Sequence, residues 1–582
     1  MAVILFLVFF GDISDNLRLH VKFADDLSLW NTNTSASRAA EELTQDLKAV
    51  SNWAHLWRMG VSTAKSHVMC FCKHGHTQIK VEYNNQVLTQ VKEQRALGVI
   101  LDENLSFKAH TLHTTSKARS TQRKLGAFTR QVGGASAEAN IFLYKACVLP
   151  HIEYCYPVWC STTSIQSLEV AQHTSLSMAL GVMNKSSTSS VQILAQVLPL
   201  DIKLDRNLIM AFINILRKPP GNCLRDLVVR LLSDESTARG IITPITKFKM
   251  ASQYLLDFDT QLIEKLHTER IEDILHTPPT LESFYTGLGS AGTRSSEQKS
   301  KALKLACDRI AAADNNVVIF TDGSALGNPG PCGAGVAIHW NGISHDSSSH
   351  KKPVSSFSNS YHGELSAIDL AIEEVASASH QPRKNVLLLS DCQSALTVAS
   401  SPLPPTSYSN LYYNIQRNVK QLLLLGICVT LHWIAGHVDL PGNDKSDTLA
   451  KEAAQEAENM TSSRLTIAWN EAKSRLNKNA HKRWTNRISQ LTRNFHLPPP
   501  SVKSFKSSMS RIAEIRYFRL KLGHTRLKDH MNRIMPTEFP SPICDCGVDR
   551  ETVEHFLLNC PLHLKQREIM IEMIVRGYIT HT

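Results

Sequence analysis

The stretch Val317-Val318-Ile319-Phe320-Thr321-Asp322-Gly323-Ser324 decides the reading of this chain. Its four consecutive apolar residues read as a strand buried on both faces. Asp322 follows two residues later, before a glycine-rich turn, Gly323 to Gly335, and a second strand, Gly335 to Trp340. Further on, Glu364 stands in the first turn of a helix whose residues Leu365, Ile368, Leu370, Ala371 and Val375 define an apolar face. Val386 to Leu389 is another short apolar strand, ending at Ser390-Asp391. Helices over Ser394–Ala399 and Tyr412–Leu425, a strand over Val429–Ile434, a loop with His437, and a helix over Ser446–Ala457 with Asp447 in its first turn complete the order.

This is an α/β order with acids at strand ends and helix starts. In an open sheet those ends gather on one edge, where ligands bind. Asp322, Glu364, Asp391 and Asp447 brought together there repel one another unless cations are shared. Two Mg²⁺ or Mn²⁺ ions answer that need and suit in-line phosphodiester displacement. Each residue alone has a plainer reading. An Asp after a strand is a turn former, an acid in a first helical turn is a dipole partner, and His437 is a loop histidine.

The joint pattern resembles ribonuclease H type 1. Thr321-Asp322-Gly323-Ser324 with Gly327-Asn328-Pro329-Gly330-Pro331, Gly363-Glu364-Leu365, Ser390-Asp391-Cys392-Gln393-Ser394-Ala395, and Trp433-Ile434-Ala435-Gly436-His437 through Asp444-Lys445-Ser446-Asp447-Thr448-Leu449-Ala450 carry it in order. The resemblance implies a mixed-sheet domain over 315–457 that hydrolyses the RNA strand of RNA–DNA hybrids and leaves 5′-phosphate and 3′-hydroxyl ends. It makes Asp322, Glu364, Asp391 and Asp447 the metal ligands and gives His437 a part in proton transfer or product release. Asp444 becomes a secondary contributor, and Asn328 and Gln393 become minor-groove contacts, where 2′-hydroxyls mark RNA. Two departures stand out: Asn359-Ser360-Tyr361-His362 lacks the paired asparagines of bacterial forms, and the Pro-rich loop between Ala399 and Tyr412 carries no basic protrusion.

Upstream, Val21-Lys22-Phe23-Ala24-Asp25-Asp26-Leu27-Ser28-Leu29-Trp30 has the pattern of a hairpin with carboxylates at its tip. Alone, it reads as a solvated turn. Followed by a helical stretch from Ala36 to Met59, Ala64-Lys65-Ser66 and Ala96-Leu97-Gly98-Val99-Ile100-Leu101-Asp102, it resembles the later palm motifs of non-LTR (LINE-like) retrotransposon reverse transcriptases. Leu143-Tyr144-Lys145-Ala146 and Leu149-Pro150-His151-Ile152-Glu153-Tyr154-Cys155 resemble their helical thumb. That resemblance implies a truncated palm over 1–110 and a thumb or connection over 111–235, where Leu208, Ile209, Phe212, Ile213 and Leu216 keep helical spacing. A polymerase needs a further metal-binding aspartate on a strand upstream of Asp25-Asp26, and Asp12 and Asp15 sit in a turn instead. No polymerase activity is expected from this chain alone; a reading frame extending upstream restores that alternative. Pro278-Pro279, Gly287, Gly289 and Thr293-Arg-Ser-Ser mark a linker over 236–314.

Beyond the nuclease stretch, 458–540 is basic and helical. Lys473, Arg475, Lys478, Lys482, Arg483 and Arg487 accompany Trp469 and Trp484, and Arg511 to Arg526 adds more. Basic residues among aromatics suit a nucleic-acid backbone, and a solvated helix face fits equally well. Within 541–565, Cys544, Cys546, His555 and Cys560 fit a tetrahedral Zn²⁺ site or buried free thiols. Glu551 to Cys560 resembles the terminal zinc knuckle of the same retroelements.

The composition agrees with this assembly. The 582 residues exceed one core, and 63 Lys+Arg against 52 Asp+Glu give +11, a modest basic excess compatible with nucleic acid. Thirteen scattered cysteines favour a reducing compartment, nucleus or cytoplasm, without secretion. Met1 to Phe10 resembles a signal core but lacks a basic start and a cleavage site, so a buried element is expected. No membrane span and no small-molecule cofactor are expected; the partners are RNA–DNA hybrid and RNA. The competing readings are a silent nucleic-acid-binding remnant and a recruited adaptor.

Overall fold

The computed structural model describes residues 10–14, 17–71, 77–130, 132–160, 165–233, 244–257, 263, 278–288, 293–313, 316–340, 347–378, 385–405, 407–460, 467–491, 509–523 and 525–575. Met1 to Phe9 of the expected N-terminal element, and Asp15, lie outside the described residues. The chain divides into two compact units. One comprises Met1–Leu204, Arg239–Lys247 and Arg487–Thr582; the other comprises Asp205–Ala238 and Phe248–Asn486. No described helix is long and apolar enough to cross a membrane.

In the first unit the acidic hairpin forms as expected. His20–Phe23 pairs antiparallel with Asp26–Leu29, leaving Ala24 and Asp25 at the turn. Helix Ala36–Leu56 follows, capped by Ser35, and a small core gathers Phe10, Ile13, Leu17, Ala40, Val50, Val68, Val81, Tyr83 and Leu88. A second hairpin, Glu93–Ala96 with Val99–Asp102, turns at Leu97-Gly98. Tyr154 donates its hydroxyl to Leu97 O at 2.7 Å, joining the palm-like and thumb-like motifs of the sequence. Helix Arg511–Lys521 belongs to this unit. Glu514 accepts from Ala137 N at 2.8 Å, Arg511 Nη2 donates to Met178 O at 3.2 Å, and Arg519 Nε donates to Gly181 O at 2.9 Å.

The second unit is built on one six-stranded mixed sheet: β1 (Thr280–Leu281), β2 (Val317–Ala325), β3 (Gly330–His339), β4 (Ser347–Ser358), β5 (Val386–Ser390) and β6 (Val429–Trp433). The order is β4-β3-β2-β5-β6-β1. Strands β2, β3 and β4 pair antiparallel, whereas β2, β5, β6 and β1 run parallel. The apolar runs Val317–Phe320 and Val386–Leu389 are buried throughout, contributing about 1.5–3 kcal/mol per large side chain. Its helices are α1 (Ser296–Ala311), α2 (Ser360–Ser377), α3 (Gln393–Ala399), α4 (Ser409–Leu424), α5 (Pro441–Asn459) and α6 (Trp469–Leu491). A Cβ at Gly323 would lie 2.0 Å from Glu364 N, and one at Gly335 2.2 Å from Ser446 O. Gly335 is the register partner of Asp322, the residue before Gly323. Side chains alternate along a strand, so α2 lies on one face of the sheet and α5 on the other.

The structure alters several expectations. The segment read as a linker over 236–314 contains helix Pro244–Leu255, β1 and α1. Leu288, Ala302, Ala306, Ile310 and Ala313 join the core of the sheet domain. Strand β4 was unmarked in the sequence reading; its Lys351, Lys352 and Pro353 are the residues an edge strand uses to discourage further pairing. Helix α2 begins at Ser360, so Glu364 stands in its second turn, and α5 begins at Pro441, which moves Asp447 out of the first turn as well. The basic stretches are partly structural. Arg475 pairs with Asp257 at 3.2 Å and lies over the Phe357 ring, Arg483 stacks on Tyr254, Arg487 pairs with Asp201, and Trp484 is core. Lys473, Lys478 and Lys482 remain exposed.

Candidate active site

Register places the first two acids. Thr321 lies opposite Ser390 on neighbouring parallel strands, so the next residues stand side by side: Asp322, within β2 rather than after it as expected, and Asp391, just past the end of β5. Glu364 arrives from α2, which Asn359 caps by accepting from His362 N at 3.0 Å. The absence of a side chain at Gly323 lets α2 come this close. One oxygen from each of Asp322, Glu364 and Asp391 can be chosen so that all lie within 4.8 Å of one another.

The electrostatics of this group are unbalanced. Burial, reinforced by Asp391 and Asp447, pushes the Asp322 carboxyl up to about 7. Glu364 is held well above its ordinary range by burial first, then by Asp322 and Asp391. Asp391 is raised by burial, against the opposing charges of His437 and Arg294. Glu364 is buried and its Oε2 has no hydrogen-bond partner among the described residues. Hard oxygen donors, mutual repulsion and an orphaned buried carboxylate oxygen are what a divalent cation would satisfy.

The remaining expected residues stand around this trio. Asp447 is not within the 4.8 Å group. Its Oδ2 pairs with Lys451 Nζ at 2.6 Å, one helical turn on, while its charge still raises Asp322 and Asp391. His437 is exposed, at φ +58°, on the loop after β6. The preceding Gly436 packs so closely that a Cβ there would fall 2.1 Å from Asp391 Oδ2. The loop is further tied by Trp433 Nε1 donating to Asp391 O at 2.9 Å and Ile434 N donating to Ser390 O at 3.0 Å. Asn328, Gln393 and Asp444 are exposed, Gln393 being the first residue of α3 and Asp444 lying in the first turn of α5.

Over residues 314–455 the chain matches the RNase H family model. A ribonuclease H from Shewanella sp. (strain ANA-3) is 32% identical over 148 residues, which cover 24% of this chain and 86% of that protein. The chain belongs to the ribonuclease H family. The expected mixed-sheet ribonuclease H fold is therefore borne out, within a larger multidomain chain. The RNA-directed DNA polymerase from mobile element jockey of Drosophila funebris is 25% identical over 152 residues, 26% of this chain and 17% of that one. A Pol polyprotein from type-1 retrotransposable element R1 of Bradysia coprophila is 25% identical over 194 residues, covering 32% and 19%. These relatives bear out the likeness to non-LTR retrotransposon polyproteins, of whose length the chain spans less than a fifth. A solved LC11 ribonuclease H1 in complex with RNA/DNA hybrid aligns at 21% identity over 24% of this chain and 99% of that one, with a TM-score of 0.20, which adds no structural argument.

Around the ribonuclease H core, three partnerships were not legible in the sequence. Glu282, beside β1, accepts from Arg309 of α1 at 2.7–3.1 Å and contacts Nδ1 of buried His432 on β6 at 2.5 Å. Arg309 holds Glu282 below the usual carboxylate range, and burial lowers His432. Glu471 of α6 is buried against His362 Nδ1 at 3.0 Å and Ser355 Oγ at 3.0 Å. Arg294 donates to Gly436 O at 2.6 Å. Glu282, Glu471 and Arg294 all lie outside 314–455.

In the other unit, Cys544, Cys546, His555 and Cys560 converge, one donor atom from each lying within 4.8 Å of the rest. Cys544 Sγ is 3.6 Å from Cys560 Sγ, and Cys546 Sγ is 3.2 Å from His555 Nε2. Tetrahedral Zn–S bonds of about 2.3 Å give an S···S edge of roughly 3.8 Å, so the spacing fits the ion. Asp25 and Asp26 are exposed. Among the described residues they enter no group of three potential metal ligands.

Proposed function

We propose that this chain hydrolyses the RNA strand of RNA–DNA hybrids with divalent metal. The supporting observation is the trio Asp322, Glu364 and Asp391, gathered at one sheet edge around an unpartnered buried oxygen. Bound there, Mg²⁺ or Mn²⁺ ions, two in our reading, would supply the Lewis acidity that in-line displacement at phosphorus needs. The chain's own groups do the rest. The three carboxylates set the geometry, and Asp447, once released from Lys451, completes the ligand set. His437, exposed on its loop, would serve proton transfer to the departing 3′-oxygen or product release; water adds to phosphorus as the bond to that oxygen breaks, giving a 5′-phosphate and a 3′-hydroxyl. Asn328, on the bend between β2 and β3, and Gln393, the first residue of α3, are exposed and would contact the minor groove of the hybrid.

The other unit is read as reverse transcriptase palm and thumb elements, with a zinc knuckle of Cys544, Cys546, His555 and Cys560. Asp25 and Asp26, exposed at the tip of its hairpin, match polymerase acids of that palm. A labelled-strand panel tests the function. Purified chain with Mg²⁺ should cut the RNA of a hybrid while leaving double-stranded DNA and the DNA strand intact. Binding of hybrid without Mg²⁺-dependent cutting would instead favour a silent nucleic-acid-binding remnant.

A further inference from the structure

We propose that Arg294, from the segment preceding the family-matching domain, is a positioning residue that anchors the Gly436–Asp439 loop, packed on Asp391 at Gly436, and so fixes where His437 stands. This rests on the nuclease reading above only for its effect on catalysis.

The loop needs an anchor. Within four residues it holds two non-glycine positions in the left-handed region, His437 at φ +58° and Asp439 at φ +56°. Each is a conformation that L residues disfavour and that persists only where surroundings impose it. The flanking Val438 and Leu440 are buried and supply part of that constraint. The polar part comes from Arg294, whose Nη1 donates to Gly436 O at 2.6 Å while its Nε donates to Leu288 O at 3.2 Å. One guanidinium thus ties the loop to a core residue of the preceding segment, since Leu288 is itself buried in the sheet domain. Gly436 leaves no slack on its other side, where Asp391 Oδ2 occupies the place a side chain would take. A planar fork can satisfy both carbonyls from one position; a lysine ammonium, a point charge on a flexible stem, reaches one at most.

The test uses the full chain with Mg²⁺ and compares wild type, Arg294→Lys and Arg294→Ala. Hydrogen exchange of the peptide spanning residues 434–440 is expected to quicken about tenfold in Arg294→Ala and less in Arg294→Lys, from loss of a charge-assisted hydrogen bond. Hybrid cleavage is expected to lose kcat by about tenfold in Arg294→Ala with KM changed less than about twofold, because the groups that bind the hybrid are untouched. Unchanged exchange in the 434–440 peptide would overturn the proposal. So would faster exchange spread over the whole sheet with a lowered melting temperature, since that marks general loosening. Faster local exchange in a chain whose wild type cuts no hybrid would support the anchor and refute the nuclease reading instead.

Discussion

Replacing Glu471 by alanine should unfold the ribonuclease H unit at markedly lower temperature, although the residue lies outside the family-matching stretch. Glu471 is 4% exposed. One carboxylate oxygen meets His362 Nδ1 at 3.0 Å; the other accepts from Ser355 Oγ at 3.0 Å and from Ala468 N at 3.4 Å. The truncation leaves Ser355 Oγ and Ala468 N without this acceptor, and leaves His362, on whose ring Tyr408 stacks at 4.5 Å, with Ser358 Oγ at 3.0 Å as the remaining partner of its Nδ1. Each buried donor left unsatisfied costs about 1–3 kcal/mol, so two cost on the order of 4 kcal/mol. For a unit of this size, each kcal/mol shifts the melting temperature by roughly 2–4 °C, so a loss on the order of 10 °C follows. Differential scanning calorimetry of the full chain, with the unit's transition assigned by hydrogen exchange of the sheet peptides, reads it directly. Glu471→Gln, which keeps one acceptor oxygen, should fall between. A transition in Glu471→Ala within about 2 °C of wild type would refute the claim that α6 completes this domain.

Further outcomes follow from the same structure. Burial, opposed by Lys352, lifts the Asp369 carboxyl from 3.8 to about 7, and its Oδ1 lacks a partner among the described residues. Because the folded state keeps the proton that the unfolded state releases, stability falls as pH rises from about 4 to 7. Asp369→Asn should therefore stabilise by up to about 4 kcal/mol at pH 8 and by little at pH 4, in denaturant titrations at the two pH values. Gly323→Ala should cost at least about 100-fold in hybrid cleavage through displacement of Glu364; near-wild-type turnover would contradict the close approach of α2. At the C-terminal cluster, metal analysis of the chain should find one zinc per molecule, lost in Cys560→Ser with faster proteolysis of residues 541–565. A zinc-free native chain would refute that site.

Much of the site could be read from the chain because its acids follow apolar runs. Val317–Phe320 and Val386–Leu389 are strong enough strand signals that Asp322 and Asp391 are located by counting. The spacing of Cys544, Cys546, His555 and Cys560 likewise carried its own geometry. The flanks were harder. Strand β1 is only two residues long, too short to show an alternation. Helix α1 carries a capping box of Ser295 and Gln298, with Ala302, Ala306 and Ile310 at helical spacing behind it, but its Ser/Thr-rich entry has the composition of a linker and masks that signal. Arg294, Glu282 and Glu471 carry no local mark. Their partners lie 142, 150 and 109 residues away, and a hydrogen bond over that separation is written in no pattern of neighbours. The basic helices misled in a related way: charge is visible in the sequence, but whether an arginine faces solvent or an internal carboxylate depends on the packing.

The central claim is that Asp322, Glu364 and Asp391 form a divalent-metal centre that cuts RNA paired with DNA. Its most direct measurement is cleavage of a 5′-labelled RNA strand in a hybrid by the full chain, with and without Mg²⁺, beside Asp391→Asn. The account predicts Mg²⁺-dependent fragments ending in 3′-hydroxyls from the wild type and none above background from the variant. Equal cleavage by Asp391→Asn, or undiminished cleavage by the wild type in chelator, would contradict it.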